Sequence, residues 1–365
     1  MKAAVISLGS TSSKWIHKEL KNYFKEVDHL NLKSIEISLQ GKKGEQILYK
    51  GEPIGNYDCI YAKGSFKYTA LLRAITTILT KRGTYMPLRA STFTVGNDKF
   101  LTQLKLQQFN IPMPGTYLSP TVEAAKSVIK RLNYPIIMKF PQGTHGKGVM
   151  LADSYPSASS MLDALVALNQ PFIIQDFVET GGVDTRAIVI GDKVVASMKR
   201  IAKQGESRAN IHAGGTGEGC VLDRNAKKIA IDAARAVGAE ICAVDLLEGP
   251  MGPVVIEINT SPGLQGITGA TKINVADKIA KHLYDRAQEV KGWVKEETAS
   301  EILKQLDKEA DEKQGKLLFN IELRGKRILL PEIVTKLTKF KEDDELELTA
   351  KPKYLEVKEF DINKQ

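Results

Sequence analysis

This sequence is organised around the stretch Val254-Val255-Ile256-Glu257-Ile258-Asn259-Thr260-Ser261-Pro262-Gly263. An apolar run that ends at Pro-Gly is typical of a buried strand followed by a turn, yet an acid and an amide interrupt its last residues. Because alternate residues of a strand share a face, we expect Glu257 and Asn259 to point the same way. A buried carboxylate needs a cationic partner. Carboxylate and amide oxygens together suit magnesium.

A second apolar run, from Ile241 to Leu247, lies shortly upstream and also carries one acid, Asp245. The residues between the two runs, Leu-Leu-Glu-Gly-Pro-Met-Gly-Pro, indicate a tight connection. The two runs are therefore predicted to form a hairpin that carries Asp245, Glu257 and Asn259 together. In the alternative interpretation, the two acids form salt bridges within the sheet.

Length and composition indicate a globular protein of about two to three domains. The chain has 365 residues, 42% of them hydrophobic and 26% charged. It has no run of 18 apolar residues, and its start lacks a signal-peptide pattern, so we expect a cytoplasmic protein without a membrane segment. The cysteines, Cys59, Cys220 and Cys242, are far apart and have no CxxC spacing. They are predicted to be reduced and structural.

Most of the net charge of +9 comes from the first 95 residues, which contain 15 Lys and Arg against 7 Asp and Glu. Residues 96–315 contain 26 of each kind. Such a field attracts an acidic protein, an RNA-containing particle or a polyanionic small molecule. The alternative is a solvated basic surface without a dedicated partner.

The first part of the chain is predicted to be a parallel α/β layer, because strands alternate with helices. In residues 2–10 a first predicted strand runs into a small-residue turn. Further strands are predicted around 35–39 and at 57–64, and a helix at 68–79. In such a layer ligands bind at the carboxyl ends of the strands. Gly9 and Ser10, in the small-residue turn after the first strand, are therefore substrate candidates.

A phosphate-binding region is predicted after residue 96. Asn97-Asp98-Lys99 opens an amphipathic helix with an N-cap signal. Residues 134–140 are predicted to form an apolar strand that contains Lys139, and the loop that follows contains Gly143, Gly146 and Gly148. A buried ammonium group needs an anion, and glycines let backbone N–H groups approach phosphate oxygens. The loop lacks the Walker spacing, and a glycine-rich hairpin turn is the alternative.

The next segment is predicted to contain a hinge, a hairpin and an anion-binding loop. Residues 171–179 form a strand that becomes polar at its end, and 187–196 form a hairpin around Gly191-Asp192. Residues 199–215 are basic and glycine-tipped, so we expect a loop rather than a core strand. Arg208 is its best candidate for contact with a transferring phosphoryl group. His145 and His212 lack spaced partners and are given no role.

A resemblance covers residues from about 96 to 285. Its ordered motifs are Asn97-Asp98-Lys99, Ile137-Met138-Lys139 with the glycine loop, Gln175-Asp176-Phe177-Val178, Asp184-Thr185-Arg186, Arg208-Ala209-Asn210-Ile211-His212, Ala243-Val244-Asp245 and 257–267. Together they resemble the ATP-grasp ligases, and within them the RimK branch of carboxylate-amine ligases.

The resemblance implies a role for each matching residue. Lys99 and Lys139 would hold ATP phosphates, the backbone of Asp176 and Phe177 would receive the adenine, and Asp184 would contact the ribose. Asp245, Glu257 and Asn259 would bind Mg²⁺, with Mn²⁺ as an alternative, and Arg208 would steady the acyl phosphate. Relatives often carry Glu where Asp176 stands, but a backbone contact survives that change. Asn210 and Ser261 join Gly9 and Ser10 as substrate candidates.

The implied function is ATP-dependent amide-bond formation between a substrate carboxylate and an amino acid. The RimK branch commonly adds glutamate, to acceptors that range from a ribosomal protein's C terminus to glutamyl-tailed coenzymes. The alternative is a nucleotide-sensing regulatory protein that binds nucleic acid through its tail. We favour the ligase because every expected catalytic position is filled.

The end of the chain is predicted to form a separate module. Residues 315–365 are similar to AbrB-type swapped hairpins, in which a strand, a turn, a short helix and an acidic turn recur. Such modules dimerise and often bind DNA, but the near-neutral charge here favours a homo-oligomer or substrate docking over nucleic acid. The predicted domains are an α/β pre-grasp domain (1–95), two grasp subdomains (96–172 and 173–290), a helical linker (291–314) and the tail module (315–365).

Overall fold

A computed structural model of the protein describes residues 1–41, 44–141, 148–202 and 216–306, together with four short strands after residue 321. The chain divides into two units, residues 1–299 and 300–365.

The first unit begins with a three-stranded parallel sheet of order β2-β1-β6. Its elements are β1 (Lys2–Ser7), α1 (Thr11–Leu20), β2 (Glu26–Asn31), β3 (Ile35–Leu39), β4 (Glu45–Tyr49), β5 (Glu52–Pro53), β6 (Cys59–Ala62), α2 (Thr69–Lys81) and α3 (Ala90–Val95). The predicted parallel α/β layer is confirmed. Ile35–Leu39 is a strand, but it belongs to a separate antiparallel sheet with β4 and β5. β1 pairs in parallel with β6 and with the polar edge strand β2, which lacks the apolar pattern that identifies a buried strand.

A four-stranded antiparallel sheet of order β7-β10-β8-β9 follows. Helix α4 (Lys99–Gln108) precedes this lobe and packs against α7 (Arg224–Val237) and β15 (Gly252–Asn259) of the third sheet. The lobe itself contains β7 (Thr116–Tyr117), α5 (Val122–Ile129), β8 (Ile136–Lys139), β9 (Val149–Ala152), α6 (Tyr155–Ala167) and β10 (Ile173–Asp176). Asp98 caps α4 by accepting the N–H groups of Phe100 and Leu101, as its sequence predicts. Because β10 pairs with β7 and β8, this sheet extends to Asp176.

The third large sheet is antiparallel and has the order β13-β12-β11-β14-β15. Its elements are β11 (Val183–Ile190), β12 (Lys193–Ile201), β13 (Thr216–Gly219), α7 (Arg224–Val237), β14 (Ile241–Gly249) and β15 (Gly252–Asn259), followed by α8 (Gln265–Thr271) and α9 (Val275–Leu306). The predicted hairpin around Gly191-Asp192 is present, since Ile190 pairs with Lys193.

Two buried clusters hold this unit together. One combines apolar residues of the parallel sheet and of the third sheet. The other lies between the four-stranded sheet and the helices α5 and α6. The four-stranded lobe therefore has its own core, while the parallel layer and the third sheet share one.

The second unit contains two antiparallel hairpins. They are formed by β16 (Glu322–Arg324) with β17 (Arg327–Leu329) and by β18 (Leu346–Lys351) with β19 (Tyr354–Glu359). The turn, short helix and acidic turn predicted between them lie outside the described residues. Of the predicted helical linker, residues 291–306 lie in α9, and residues 307–314 lie outside the described residues. Across the described parts of the chain, no helix is long and apolar enough to cross a membrane.

Candidate functional site

The hairpin formed by β14 and β15 carries the three predicted metal ligands on one face. Asp245 lies directly opposite Glu257, and Asn259 lies two residues further along the same face of β15. Within the ranges that the structure covers, no group of three or more His, Cys, Asp or Glu side chains is arranged to hold a metal. The donor set at this hairpin is therefore two carboxylates and an amide.

Asp245 is buried between two arginines. Arg186 donates from Nε and Nη2 to the two carboxylate oxygens of Asp245, each at 2.7 Å, and Arg200 Nη2 donates to Oδ2 at 2.9 Å. Although burial opposes the change, the two guanidinium groups hold the pKa of Asp245 well below its usual range. The carboxylate therefore stays ionised, as a metal ligand must.

Arg200 also holds Asp184, the predicted ribose contact. Its guanidinium group makes a two-pronged ion pair with that carboxylate, in which Nη2 donates to Oδ2 at 2.8 Å. Burial raises the pKa of Asp184, and Arg200 opposes that rise. The prediction of a loop from residue 199 is wrong for its first residues, because β12 continues to Ile201 and Arg200 is only 4% exposed. The carboxylates of Asp184 and Asp245 compensate the positive charge of Arg200, which allows a buried strand to carry it.

Two lysines converge on Glu257. Lys99 Nζ lies 4.0 Å from Glu257 Oε1. Lys139 is 6% exposed, and its ammonium group donates to Gln175 Oε1 at 2.7 Å. Burial lowers the pKa of Lys139 to about 8, with Glu257 opposing this change and Lys99 adding to it. The positive charge beside Glu257 is suited to an anion such as a polyphosphate.

The hairpin fits a hard divalent cation. A carboxylate offers about four lone-pair positions. The arginines occupy three of those on Asp245, which leaves one on Oδ1. Glu257 is partly exposed at 39%, and Asn259 Oδ1 accepts one hydrogen bond, from Ser261 N at 3.0 Å. Each of the three side chains can therefore offer an oxygen to Mg²⁺.

The glycine loop joins β8 to β9. Gly148 has φ +77°, and a Cβ there would lie 2.2 Å from Phe140 Cδ2, so this position requires glycine. Gly143 and Gly146 lie outside the described residues, as do Arg208 and Asn210.

The predicted adenine contacts lie at the end of β10. Asp176 and Phe177 border a 340 Å³ cavity that Tyr117, Arg131, Leu132 and Asn133 complete. The backbone N–H of Asp176 donates to Gly115 O at 2.8 Å. Burial raises the pKa of its carboxyl group, and a hydrogen bond from Tyr117 opposes the change.

The remaining substrate candidates meet where β1 ends. Ser10 is the N-cap of α1 and accepts the N–H of Ser13, while Gly9 has φ +78°. Two residues on, Ser12 Oγ accepts the N–H of Leu264 at 2.8 Å, so the start of α1 lies against the turn that contains Ser261. The carboxyl end of β1 thus adjoins the turn that follows β15, the strand that carries two of the predicted metal ligands.

Sequence reasoning gave no role to Arg186, Arg200, Gln175 or Lys63. Arg186 could have been found, because it lies two residues after Asp184 and therefore shares its face of the strand. Gln175 could also have been found, because it directly precedes Asp176, a predicted adenine contact. The partners of Arg200 depend on strand register, which a local pattern does not reveal.

Comparisons with known proteins agree with this geometry. The profile of the RimK-like ATP-grasp domain matches residues 96–283. A protein of Legionella pneumophila (strain Corby) named "Probable alpha-L-glutamate ligase" is 37% identical over 246 residues, which cover 66% of this chain and 80% of that protein. "Probable alpha-L-glutamate ligase 2" of Pseudoalteromonas atlantica is 33% identical over 292 residues, or 79% of this chain and 97% of that protein. The ATP-grasp ligase PsnB, solved with minimal precursor, Mg and ADP, shares the fold with a TM-score of 0.62 and 16% identity over 79% of this chain and 98% of its own.

Fold and site together define an ATP-dependent carboxylate-amine ligase. The chain belongs to the RimK-like ATP-grasp family.

Proposed function

We propose that the protein joins the amine of glutamate to an acidic acceptor carboxylate, at the expense of ATP. The observation that carries the proposal is the placement of Asp245, Glu257 and Asn259 on one face, with the ammonium group of Lys99 close to Glu257. The names of the relatives from Legionella and Pseudoalteromonas support glutamate as the amino acid.

The reaction has two steps. An acceptor carboxylate oxygen attacks the γ-phosphorus of ATP, and the bond to the β,γ-bridging oxygen breaks, so that ADP leaves and an acyl phosphate forms. The amine nitrogen then attacks the acyl carbon, the C–O bond to phosphate breaks, and the nitrogen loses a proton. Activation is needed because a carboxylate alone offers a poor leaving group.

The chain's own residues serve the first step by positioning and charge neutralisation. Lys139 and Lys99 bring two ammonium groups to the place where we expect phosphate oxygens, and Gln175 holds Lys139 in position. Asp245, Glu257 and Asn259 would hold Mg²⁺, which screens the negative charge of the phosphates. Arg186 and Arg200 fix the carboxylate of Asp245.

We assign the other predicted roles on the same basis. The backbone at Asp176 and Phe177 would receive the adenine beside the 340 Å³ cavity, Asp184 would contact the ribose, and Arg208 would steady the acyl phosphate. The basic surplus of residues 1–95 supports an acidic acceptor.

The proposal is tested with purified protein, ATP, Mg²⁺ and each amino acid in turn, with and without glutamyl peptides as acceptors. We expect ADP release that requires glutamate plus an acceptor, and an acceptor that gains the mass of one or more glutamyl residues. ADP release that is indifferent to glutamate would reject it as the amino acid while leaving the ligase class intact.

We further propose that residues 315–365 join two copies of the chain or dock the acceptor. The described part of the tail consists of two hairpins, which suits a pairing module. Removal of residues 315–365 is expected to halve the mass in solution or to weaken acceptor use. A truncated protein with an unchanged number of subunits and unchanged kinetics would contradict this role.

A further inference from the structure

Lys63 is a buried charge for which the proposed mechanism has no use. It directly follows β6 and is 4% exposed. Four charged side chains in the described residues are buried: Lys63, Lys139, Arg200 and Asp245. Arg200 and Asp245 form ion pairs, and Lys139 feels the charge of Glu257. Around Lys63, no carboxylate within the described ranges lies within ion-pair distance.

The contacts of Lys63 place its ammonium group against the turn that follows β15. Nζ donates to the backbone carbonyl of Pro262 at 3.2 Å and lies 5.7 Å from the centre of the Tyr61 ring. Pro262 is three residues beyond the metal-ligand candidate Asn259, a distance of at most about 11 Å along the chain. Burial alone lowers the pKa of Lys63 to about 8, which matches an ammonium group without a counterion.

A second positive feature adjoins this lysine. Lys63 N donates to Ile6 O at 2.9 Å, so Lys63 lies next to the carboxyl end of β1. From there the chain turns through Gly9 into the ten-residue helix α1, whose N-terminus carries partial positive charge. No atom of the described residues lies within 4 Å of the position that a Cβ would take at Gly9. The start of α1 and Lys63 both contact the 262–264 turn, through Ser12 and Nζ respectively.

We propose that Lys63 and the N-terminus of α1 form a subsite for a carboxylate group of a substrate, and that this carboxylate is the missing counterion of Lys63. The inference rests on the proposed ligase function. Two substrates could supply such a group, the amino acid that is added and the acidic acceptor. In either case the subsite would hold the substrate by a carboxylate that does not react, while the reacting group reaches the face of Asp245 and Glu257.

The test compares K63M, which removes the charge at similar length, with K63R, which keeps it. The exposed Lys67 provides a matched control, K67M. We expect K63M to raise the KM of one carboxylate substrate by roughly 10- to 100-fold, the usual range for a lost hydrogen bond to a charged group. The KM of ATP should be unchanged, and K63R should recover part of the loss. If Lys63 had only a structural role, K63M would instead alter the KM values of ATP, of the amino acid and of the acceptor together, or the melting temperature in the presence of ADP.

Binding probes separate this inference from the proposed reaction. The melting temperature is measured with ADP and Mg²⁺ present, on addition of L-glutamate, of N-acetyl-diglutamate or of glutamate diamide, which has no carboxylate. A shift with L-glutamate that K63M abolishes assigns the subsite to the added amino acid. A shift with N-acetyl-diglutamate that K63M abolishes assigns it to the acceptor.

The results for the subsite and for the proposed reaction can therefore be told apart. Shifts that depend on Lys63 in a protein without ligase activity would support the subsite and reject the proposed reaction. Ligase activity with the same KM values in K63M and wild type would reject the subsite and leave the reaction. Probes that shift neither protein, or shift both equally, would also overturn the subsite.

Discussion

Asp245 and Glu257 face each other across β14 and β15 because Ile256 is an extra residue on β15. From the Pro250-Met251 turn, pairing proceeds through Leu246 opposite Val255 and then steps over Ile256. Without this bulge, Asp245 would lie opposite Ile256, and Glu257 and Asn259 would point to the other side of the sheet. The predicted grouping of the three ligands is thus correct, but it depends on a bulge.

Replacement of Glu257 tests the proposed metal-ligand role. We expect E257Q to lower kcat by about a hundredfold, as is typical for loss of one charged contact to a transferring phosphoryl group, with little change in stability because the side chain is partly exposed. E248Q, at an exposed position of the same hairpin, is the control. Steady-state ADP release measures both. Equal activities would remove Glu257 from the site.

Replacement of Arg200 tests the buried charge network. R200M would leave Asp184 and Asp245 with fewer cationic partners in the protein interior, so we expect the free energy of unfolding to fall by about 3–5 kcal/mol. The control R235M breaks the exposed pair with Asp192 and should cost no more than about 1 kcal/mol. Denaturant unfolding gives both values. A loss in R200M as small as that of the control would contradict the network.

The pH dependence of nucleotide binding tests Lys139. Its pKa of about 8 means that the ammonium group loses its proton as the pH rises through 8. We expect the affinity for ADP to decline across this range, and the decline to be much weaker in K139R, whose guanidinium group stays charged. Calorimetric titration at several pH values provides the measurement. The same decline in K139R would assign it to another group.

Lys139 also affects stability in a defined direction. Between about pH 8 and the ordinary lysine value of 10.5, the unfolded chain holds a proton that the folded protein has lost. The contribution of Lys139 to the free energy of unfolding therefore rises with pH across this window. The stability advantage of K139M over wild type should shrink accordingly. An advantage that stays constant from pH 7 to 10.5 would show that the lysine is not desolvated in solution.

Gly148 is expected to tolerate no side chain. Alanine would strain the backbone at both Gly148 and Gly181, but only in G148A would the Cβ also meet the Phe140 ring. We therefore expect G148A to be about 1–3 kcal/mol less stable than G181A. Gly181 has φ +62°, and no atom in the described part of the chain lies within 4 Å of its Cβ position, so it isolates the backbone effect. Removal of the ring in F140A/G148A should reduce the additional penalty. Equal stabilities of G148A and G181A would contradict the contact.

Much of this site could be predicted because its chemistry lies in short strands. Lys139 and Glu257 interrupt apolar runs, and a polar group in such a position indicates a function or an ion pair. The cap at Asp98 and the Gly191-Asp192 turn depend on neighbouring residues alone.

The partners of Arg200 could not be predicted in the same way. Counting back from the Gly191-Asp192 turn would place Lys199 opposite Asp184. A second bulge, at Val195, moves Arg200 into that position instead. Such single-residue shifts are set by packing across the whole sheet. The first residues of the predicted loop, 199–201, therefore continue β12, and Arg200 is buried there. Strand β2 was missed for a related reason, since its pairing with β1 rather than its own pattern defines it.

The most direct test of the proposed function is the mass of an acidic acceptor after incubation with the protein, ATP, Mg²⁺ and glutamate. We expect the mass of the acceptor to increase by whole glutamyl residues, with one ADP released per residue, and we expect no increase with E257Q. ADP release without any gain in acceptor mass, or a gain that persists unchanged in E257Q, would contradict the proposed function.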